Sequence, residues 1–483
     1  MPLKTGDEYL ESLRPLKLKA HILGRKASPD DHNLVKLSRQ AVAFTYDAAH
    51  DSATRDLFCV ESSLCKDEVN RFTHLHTSVD DLVNKVKMQR YCGVGTGCCF
   101  QRCVGLDAAN AIFSTTFECD RKYGTSYHAR FKDYWAWIQQ DDLVVDGAMT
   151  DPKGDRSKRP NEQADPDLFL RIKERKPDGI VIQGAKLHQT GMLNSHEILV
   201  MPTLTLRPGE EDWSVCCAVP TNATGLRYIY GRQASDTRKL EGYPMDVGNT
   251  VFGGQEVMTV FEDVFVPNER VFLNGEVDFS GVMVERFASY HRQSYGGCKV
   301  GVGDVLIGAT ALIARMNGVA QASHIKDKIV EMIHLNETLY ACGMACSAGG
   351  YATPAGNYQV DLLLANVCKL NVTRFPFEIA RLATDVAGGL LGTMPSAADL
   401  DDPVAGPYIR KYLIANPEYD VVDRMKVLRL IENLTAGAGA VGYLIESMHG
   451  AGPPTAQRIM IGRQAGIEDK IARVKALLEI GAK

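Results

Sequence analysis

The chain predicts an α+β fold in three parts: a helical N-terminal domain over 1–145, a middle antiparallel β domain over 146–275 and a C-terminal helical bundle over 276–483. Three observations carry this expectation. Apolar residues recur at helical spacing through the first part. Short β-prone runs separated by turn residues fill 168–275. Long helical runs return from about 276, with no internal repeat or low-complexity tract. A length of 483 residues accommodates two to four domains at roughly 100–200 residues each.

Taken in order, SVDDLVNKVKMQRYC places Val79, Leu82, Val83 and Val86 at helical spacing. CFQRCVGLDAANAIFSTTFECDRKYG continues that character, with few breakers before Gly124. The stretch 146–167, DGAMTDPKGDRSKRPNEQADPD, is dense in Asp, Pro, Gly and Lys and reads as a turn-dominated loop. GIVIQGAKLHQTG, HEILVMPTLTL, WSVCCAVPT, LRYIYGR and VMTVFEDVFVPNERVFL then read as strands of a sheet or barrel. GVMVERFASYHRQSYGGCKVG, DVLIGATALIARMNG, IKDKIVEMIHLNETLYACGMACS, the run at 358–389 and the run at 424–450 read as helices.

Composition removes several function classes. Lys plus Arg total 54 and Asp plus Glu total 59, a net charge of −5, which excludes an electrostatic nucleic-acid binder. There is no 18-residue apolar run, so no membrane span is expected. The N-terminus, MPLKTGDEYLESLRPLKLKA, lacks the apolar core of a secretory signal. A reducing, cytoplasmic setting is therefore expected, in which thiols stay free or bind metal. The 13 cysteines are an odd number and cannot form a complete intrachain disulfide framework. Cys59, Cys65, Cys119, Cys216, Cys217 and Cys368 read as small buried hydrophobes. Cys342 and Cys346, in LYACGMACSAGG, read as close helix packing.

The remaining cysteines bear on chemistry. Cys99 and Cys103 are four apart, which on a helix puts both thiols on one face. Such a pair can hold one zinc or two irons of one cluster, or be two buried thiols. His291 and Cys298 are seven apart and share a face if a helix persists. Gly296–Gly297 is a point where that helix can break and admit something bulky. Two thiolates from one segment, joined by a His and a Cys from another, suit a soft metal or an iron–sulfur centre. Tyr295 stands one turn from His291, and Lys299 follows Cys298. Lys186, His188, Gln189 and Thr190 close a β run, Glu256 follows Gly253-Gly254-Gln255, and Glu446 and His449 stand near Gly450 and Gly452. By type and place alone, each of these can equally cap, pair or solvate. GVGDVLIG at 301–308 has the wrong spacing for a dinucleotide turn, and no Walker A lysine motif is present.

The helix–β–helix order and the phrase FEDVFVPNERVFL resemble the acyl-CoA dehydrogenase architecture, in which a small β domain and two helical domains hold FAD. DPKGDRSK and HQTG are similar to its 4-hydroxyphenylacetate 3-monooxygenase branch. KVKMQR, CCFQRCVGLDA, VDGAMTDPKGDR, QTGMLNSHE, FGGQE, VERFASYHRQSYGGCKVGVGDV and ESMHGAG together resemble the 4-hydroxybutyryl-CoA dehydratase, or vinylacetyl-CoA Δ-isomerase, family. The resemblance runs from about residue 8 to about 478; only SAADLDDPVAGPYIRKYL, 396–413, has no place in it.

That resemblance implies a 4Fe–4S cluster held by Cys99, Cys103, His291 and Cys298, with Cys98 a non-ligand. It implies FAD contacts at Met149, Thr150, Gln189 and Thr190, with the turn at His449 and Gly450 reaching flavin from a neighbouring subunit. The implied reaction is dehydration of 4-hydroxybutyryl-CoA to crotonyl-CoA. The thioester acidifies C2 but not C3, so one-electron oxidation of the C2 enolate is needed before the C3 proton can leave. Flavin takes and returns that electron, and the histidine-held iron accepts the hydroxyl. His291 is then the expected base at C2, Tyr295 and Glu446 handle the hydroxyl, and Glu256 hydrogen-bonds within the site. Lys299 balances charge, and Thr190 tunes the flavin. The implied partners are a CoA thioester and further copies of the chain in a homotetramer, a dimer of dimers. Two other readings stand beside this one: a flavin-dependent aromatic hydroxylase without a cluster, and a non-enzymatic iron–sulfur carrier or redox sensor.

Overall fold

The computed structural model describes residues 3–231 and 243–481, so Arg232, the last residue of LRYIYGR, lies outside them. In the N-terminal region, helix Val79–Thr96 begins at Ser78, whose hydroxyl accepts the Asp81 N–H, and ends at Gly97 in the left-handed conformation. Helix Cys103–Tyr123 stops at Gly124, also left-handed, where the sequence places its break. Its buried residues include the small Gly105, Ala108, Ala109 and Ala111 beside Leu106, Ile112 and Phe113. A Cβ on Gly105 would lie 2.0 Å from the Val145 carbonyl oxygen, so this helix seats directly on a strand of the β region.

The β region is two sheets. The larger runs Arg25–Ala27, Ala20–Ile22, Leu226–Tyr230, Glu256–Pro267, Gly179–Thr190, Arg171–Lys176; the smaller runs Val271–Asn274, Val215–Pro220, Glu197–Val200, Val145–Ala148. Ile180, Ile182 and Val257 of the first share an apolar core with Ile198, Val200 and Cys217 of the second. The sheets are not antiparallel throughout, as the sequence suggested. Ala20–Ile22 pairs parallel with Leu226–Tyr230, and Val145–Ala148 pairs parallel with Glu197–Val200. In both cases the incoming chain enters from the helical N-terminal region rather than through a hairpin, so no tight turn sets its direction. Val145–Ala148 also takes up the start of the segment that reads as loop. Its sequence, VDGA, carries two strand-poor residues, and burial rather than propensity makes it a strand.

In the C-terminal region one helix, Val277–Met316, runs 40 residues. Gly296–Gly297 does not break it. A Cβ on Gly296 would sit 2.6 Å from Gly343 Cα, one on Gly297 2.5 Å from the Val86 carbonyl oxygen and one on Gly301 2.3 Å from the Arg90 carbonyl oxygen. What the glycines admit is therefore backbone: helix Val79–Thr96 on one side and helix Ser323–Ala348 on the other. Gly343 lies between Cys342 and Cys346, so the packing expected of that pair is present. Among the described residues this long helix alone is long and apolar enough to cross a bilayer by length and composition, but 67% of its apolar window is buried inside the chain. The unplaced stretch 396–413 forms two short helices, Ala397–Asp401 and Ala405–Tyr412.

Candidate active site

The thiols do not share one helix. Cys103 opens helix Cys103–Tyr123, and Cys99 lies in the loop before it. That loop turns through Gln101, whose φ is +54°. Gln101 Nε2 donates to the Gln255 carbonyl at 2.9 Å, and its Oε1 accepts from Asn194 Nδ2 at 3.0 Å, which ties the loop to the β region. The four-residue spacing therefore works through a pinned turn rather than a helical face. The long helix brings His291, Tyr295 and Cys298 past this loop on successive turns, as the sequence suggested. The Cys103 thiol, an Asp107 carboxylate oxygen and a His291 ring nitrogen lie within 4.8 Å of one another.

Electrostatics decide the state of these thiols. Burial, with Glu446 nearby, pushes Cys99 well above its usual range; burial and Cys298 do the same to Cys103. Burial lifts Cys298 to about 11, against the pull of Lys299. Left alone they are neutral thiols. A bound cation is what turns such a buried set into thiolates, and three soft donors with one imidazole match iron or zinc. The Cys98 thiol donates weakly to the Cys99 carbonyl at 3.6 Å.

Behind the histidine is a buried charge pair that sequence reading missed. His291 Nδ1 lies 2.8 Å from Asp107 Oδ2, Ser294 Oγ donates to the same oxygen at 3.0 Å, and Lys85 Nζ meets Asp107 Oδ1 at 2.5 Å. Burial opposes the Asp107 charge, but Lys85 and His291 outweigh it and hold the carboxylate below its usual range. Asp107 is one helical turn from Cys103, which was the available signal.

On the other side of the cysteines stand the carboxylates. Lys299 Nζ is 2.6 Å from Glu446 Oε2 and also donates to the Gly442 carbonyl. That carbonyl is presented by a turn of π-helix, Val441–Ile445, directly before Glu446. A Cβ on Gly442 would lie 3.3 Å from Cys99 Cβ, so this turn closes against the cysteine loop. Burial works against the Lys299 charge, yet Glu446 holds the ammonium above its usual range. Glu256 takes a hydrogen bond from Thr190 Oγ1 at 2.5 Å. Burial and the Glu446 charge raise Glu256 well above the carboxylate range. Tyr295 joins the two sides. Its ring is 5.0 Å from His291, centroid to centroid, and lies under Lys299 at 5.1 Å and Lys369 at 4.7 Å. Lys369 is a second residue the sequence did not signal. Burial, with Lys299 and Arg292 near, pulls it down to about 7.

The residues expected to touch flavin divide. Thr190 reaches the site through Glu256. Gln189 donates to the Leu187 carbonyl. Met149 and Thr150 are half-buried, and their carbonyls are taken by Lys186 Nζ at 2.8 Å and the Leu187 N–H at 2.8 Å. Lys186 is thereby a strut between the loop and the strand that ends in Thr190. Gly450 packs on its own chain's Tyr295, whose hydroxyl would be 2.0 Å from an added Cβ, while the His449 side chain is exposed.

Comparison with known proteins follows the same lines. The chain matches the family models 4-hydroxyphenylacetate 3-hydroxylase N terminal, over residues 5–273, and C terminal, over residues 280–479. It is 57% identical to the 4-hydroxybutyryl-CoA dehydratase/vinylacetyl-CoA-Δ-isomerase of Clostridium aminobutyricum, over 99% of this chain and 100% of that protein. Its structure resembles an oxygen-tolerant archaeal 4-hydroxybutyryl-CoA dehydratase from N. maritimus, with a TM-score of 0.97, 52% identity and coverage of 99% and 95% of the two chains. It also resembles the oxygenase component of 4-hydroxyphenylacetate 3-monooxygenase complexed with FAD, with a TM-score of 0.87 and 21% identity over 98% of each chain. A glutaryl-CoA dehydrogenase shares the fold more distantly, with a TM-score of 0.52 and 12% identity over 96% of each chain.

Proposed function

The chain belongs to the 4-hydroxybutyryl-CoA dehydratase/vinylacetyl-CoA-Δ-isomerase group of the 4-hydroxyphenylacetate 3-hydroxylase family, and from that membership we propose that it dehydrates 4-hydroxybutyryl-CoA to crotonyl-CoA and isomerises vinylacetyl-CoA. It is then a hydro-lyase with an intramolecular C=C isomerase activity. The observation that carries the reading is the Cys103 thiol within 4.8 Å of a His291 ring nitrogen, with Cys99 and Cys298 near enough to act on one another's charge and the Lys299–Glu446 pair beside them.

A 4Fe–4S cluster would be held by Cys99, Cys103, Cys298 and His291, and FAD by the strand end at Gln189–Thr190 with Met149 and Thr150, and by His449 and Gly450 from a neighbouring subunit. The donor chemistry fits: these thiols are neutral without a cation and give soft thiolates with one. Flavin supplies reversible one-electron exchange, and a histidine-held iron supplies a Lewis-acidic seat for an oxygen. His291, which as a cluster ligand would be a neutral imidazole, takes the C2 proton of the thioester. Glu256, protonated in its buried place beside Glu446, donates to the C4 hydroxyl. Glu446, paired with Lys299, would relay with Tyr295 the proton that departs with water. Thr190 holds the Glu256 carboxyl and tunes the flavin. Isomerisation uses the same base and reprotonation without loss of hydroxyl.

The division into 1–145, 146–275 and 276–483, a cytoplasmic setting and a homotetramer belong to the same reading. Helix Ile467–Leu477 supports assembly: all its residues are exposed, and Ile467, Ile471, Val474 and Leu478 form one apolar stripe along it.

The test is anaerobic purification with measurement of iron, acid-labile sulfide and flavin, and an assay with 4-hydroxybutyryl-CoA. Cys298→Ala should remove iron and dehydration together, while single replacement of Cys59, Cys98 or Cys119 should leave both. Flavin without iron in the native protein, or dehydration surviving Cys298→Ala, would overturn the reading.

A further inference from the structure

Both oxygens of Asp107 are committed. Oδ1 receives the Lys85 ammonium, and Oδ2 faces His291 Nδ1 and the Ser294 hydroxyl. Lys85 spends its other hydrogens on the Tyr290 carbonyl and Gln293 Oε1, each at 3.0 Å. Asp107 and Lys85 are wholly buried. A carboxylate so engaged is a poor metal ligand, although its oxygen is close enough to Cys103 and His291 to be taken for one. It is well placed for a different task. A metal-binding histidine is oriented by the group that takes its second ring N–H.

We propose that Asp107 is the positioning residue of His291, binding the Nδ1 proton so that Nε2 keeps the lone pair that ligates iron and then accepts the C2 proton. The inference rests on the dehydratase reading above. In the proton step the C2–H bond breaks, its electron pair stays on the substrate as the enolate, and Nε2–H forms; Nδ1–H remains on Asp107 throughout.

Lys85 makes the idea testable, because it can only donate. In Asp107→Asn the amide must turn its oxygen to Lys85 and its NH2 to His291. Nδ1 then becomes the acceptor, the ring proton moves to Nε2, and the ligating lone pair is lost. Removing Lys85 as well frees the amide to turn back. The comparison is made in holoprotein purified without oxygen, with flavin content as the control for folding. Readouts are the cluster's EPR spectrum, the rate at which a chelator removes iron, and exchange of the substrate C2 hydrogen with solvent deuterium.

Asp107→Asn is expected to keep flavin, lose iron to chelator about 10–100-fold faster with a 3Fe–4S spectrum, and lose C2 exchange by a similar factor. Lys85→Met/Asp107→Asn is expected to recover most of both. Lys85→Met/Asp107→Leu, equally free of buried charge but without an acceptor, is expected not to. That pair decides the matter even if Asp107→Asn alone does not fold. Equal iron retention and exchange in the two double variants would overturn the proposal, as would an unchanged Asp107→Asn protein. Native protein with flavin and no iron would overturn the dehydratase reading itself, a result separable from either.

Discussion

Two carboxylates stand in the site with different partners. Glu446 lies on Lys299, while Glu256 is buried against Thr190 and Glu446 and held well above its normal range. On the proposed reading Glu256 is a hydrogen-bond donor to the substrate and Glu446 the proton relay. Glu256→Gln keeps a donor at the position and should reduce kcat by less than about tenfold. Glu446→Gln removes the carboxylate proposed to relay the proton and should cost about 100-fold or more. Anaerobic turnover at matched iron and flavin content separates the two. The cysteines, the histidine and these carboxylates were all legible in sequence through their motifs. Asp107, Lys85 and Lys369 were not. Each acts through partners on other helices, and a buried charge looks the same in sequence as an exposed one.

At the scale of elements, glycine carries the contact between helices. An added Cβ on Gly301 would meet the Arg90 carbonyl at 2.3 Å and Gly93 Cα at 2.8 Å, and backbone cannot move aside. Gly301→Ala should therefore destabilise by about 1–3 kcal/mol. Gly308, on the same helix, has nothing within 4 Å of an added Cβ. Gly308→Ala should stabilise by about 1 kcal/mol through helix propensity alone. Thermal melts of both, at equal cofactor content, check the contrast. The short strand Val145–Ala148 holds a different strain. Asp146 is buried with Oδ2 lacking a partner, and burial lifts it from 3.8 to about 7. Between pH 4 and 7 the folded chain keeps a proton that the unfolded chain has released, so stability falls as pH rises through that window. Asp146→Asn should thus raise the melting temperature at pH 8, by up to about 4 kcal/mol of stability, and change little near pH 4. Melts across pH test the sign. This strand was read as loop because Asp and Gly are poor strand formers, and only its burial beside Glu197–Val200 makes it one.

At the scale of the molecule, helix Ile467–Leu477 stands out because all its residues are exposed. Ile467, Ile471, Val474 and Leu478 lie three and four apart on a wholly exposed helix. Ile471→Lys with Leu478→Lys should dissociate the proposed tetramer into smaller species while leaving the monomer fold intact. Light scattering and circular dichroism measure the two effects, and an unchanged mass would remove this helix from the interface. Activity should fall with assembly if His449 and Gly450 complete a neighbour's flavin site.

Local pattern was enough for what depends on local pattern: helix, then β, then helix; the stop at Gly124; and the residues with the chemistry to hold metal and move protons. Long motifs extended that to a family. Tertiary structure decided the rest. It made a pinned loop, not a helical face, the thing that brings Cys99 to Cys103. It kept the long helix whole through Gly296–Gly297 by packing backbone on both sides. It set Asp107 and Lys85 behind His291. These depend on contacts between segments far apart in the chain, where burial and charge act over a few ångströms of space and leave no periodicity in the sequence to read.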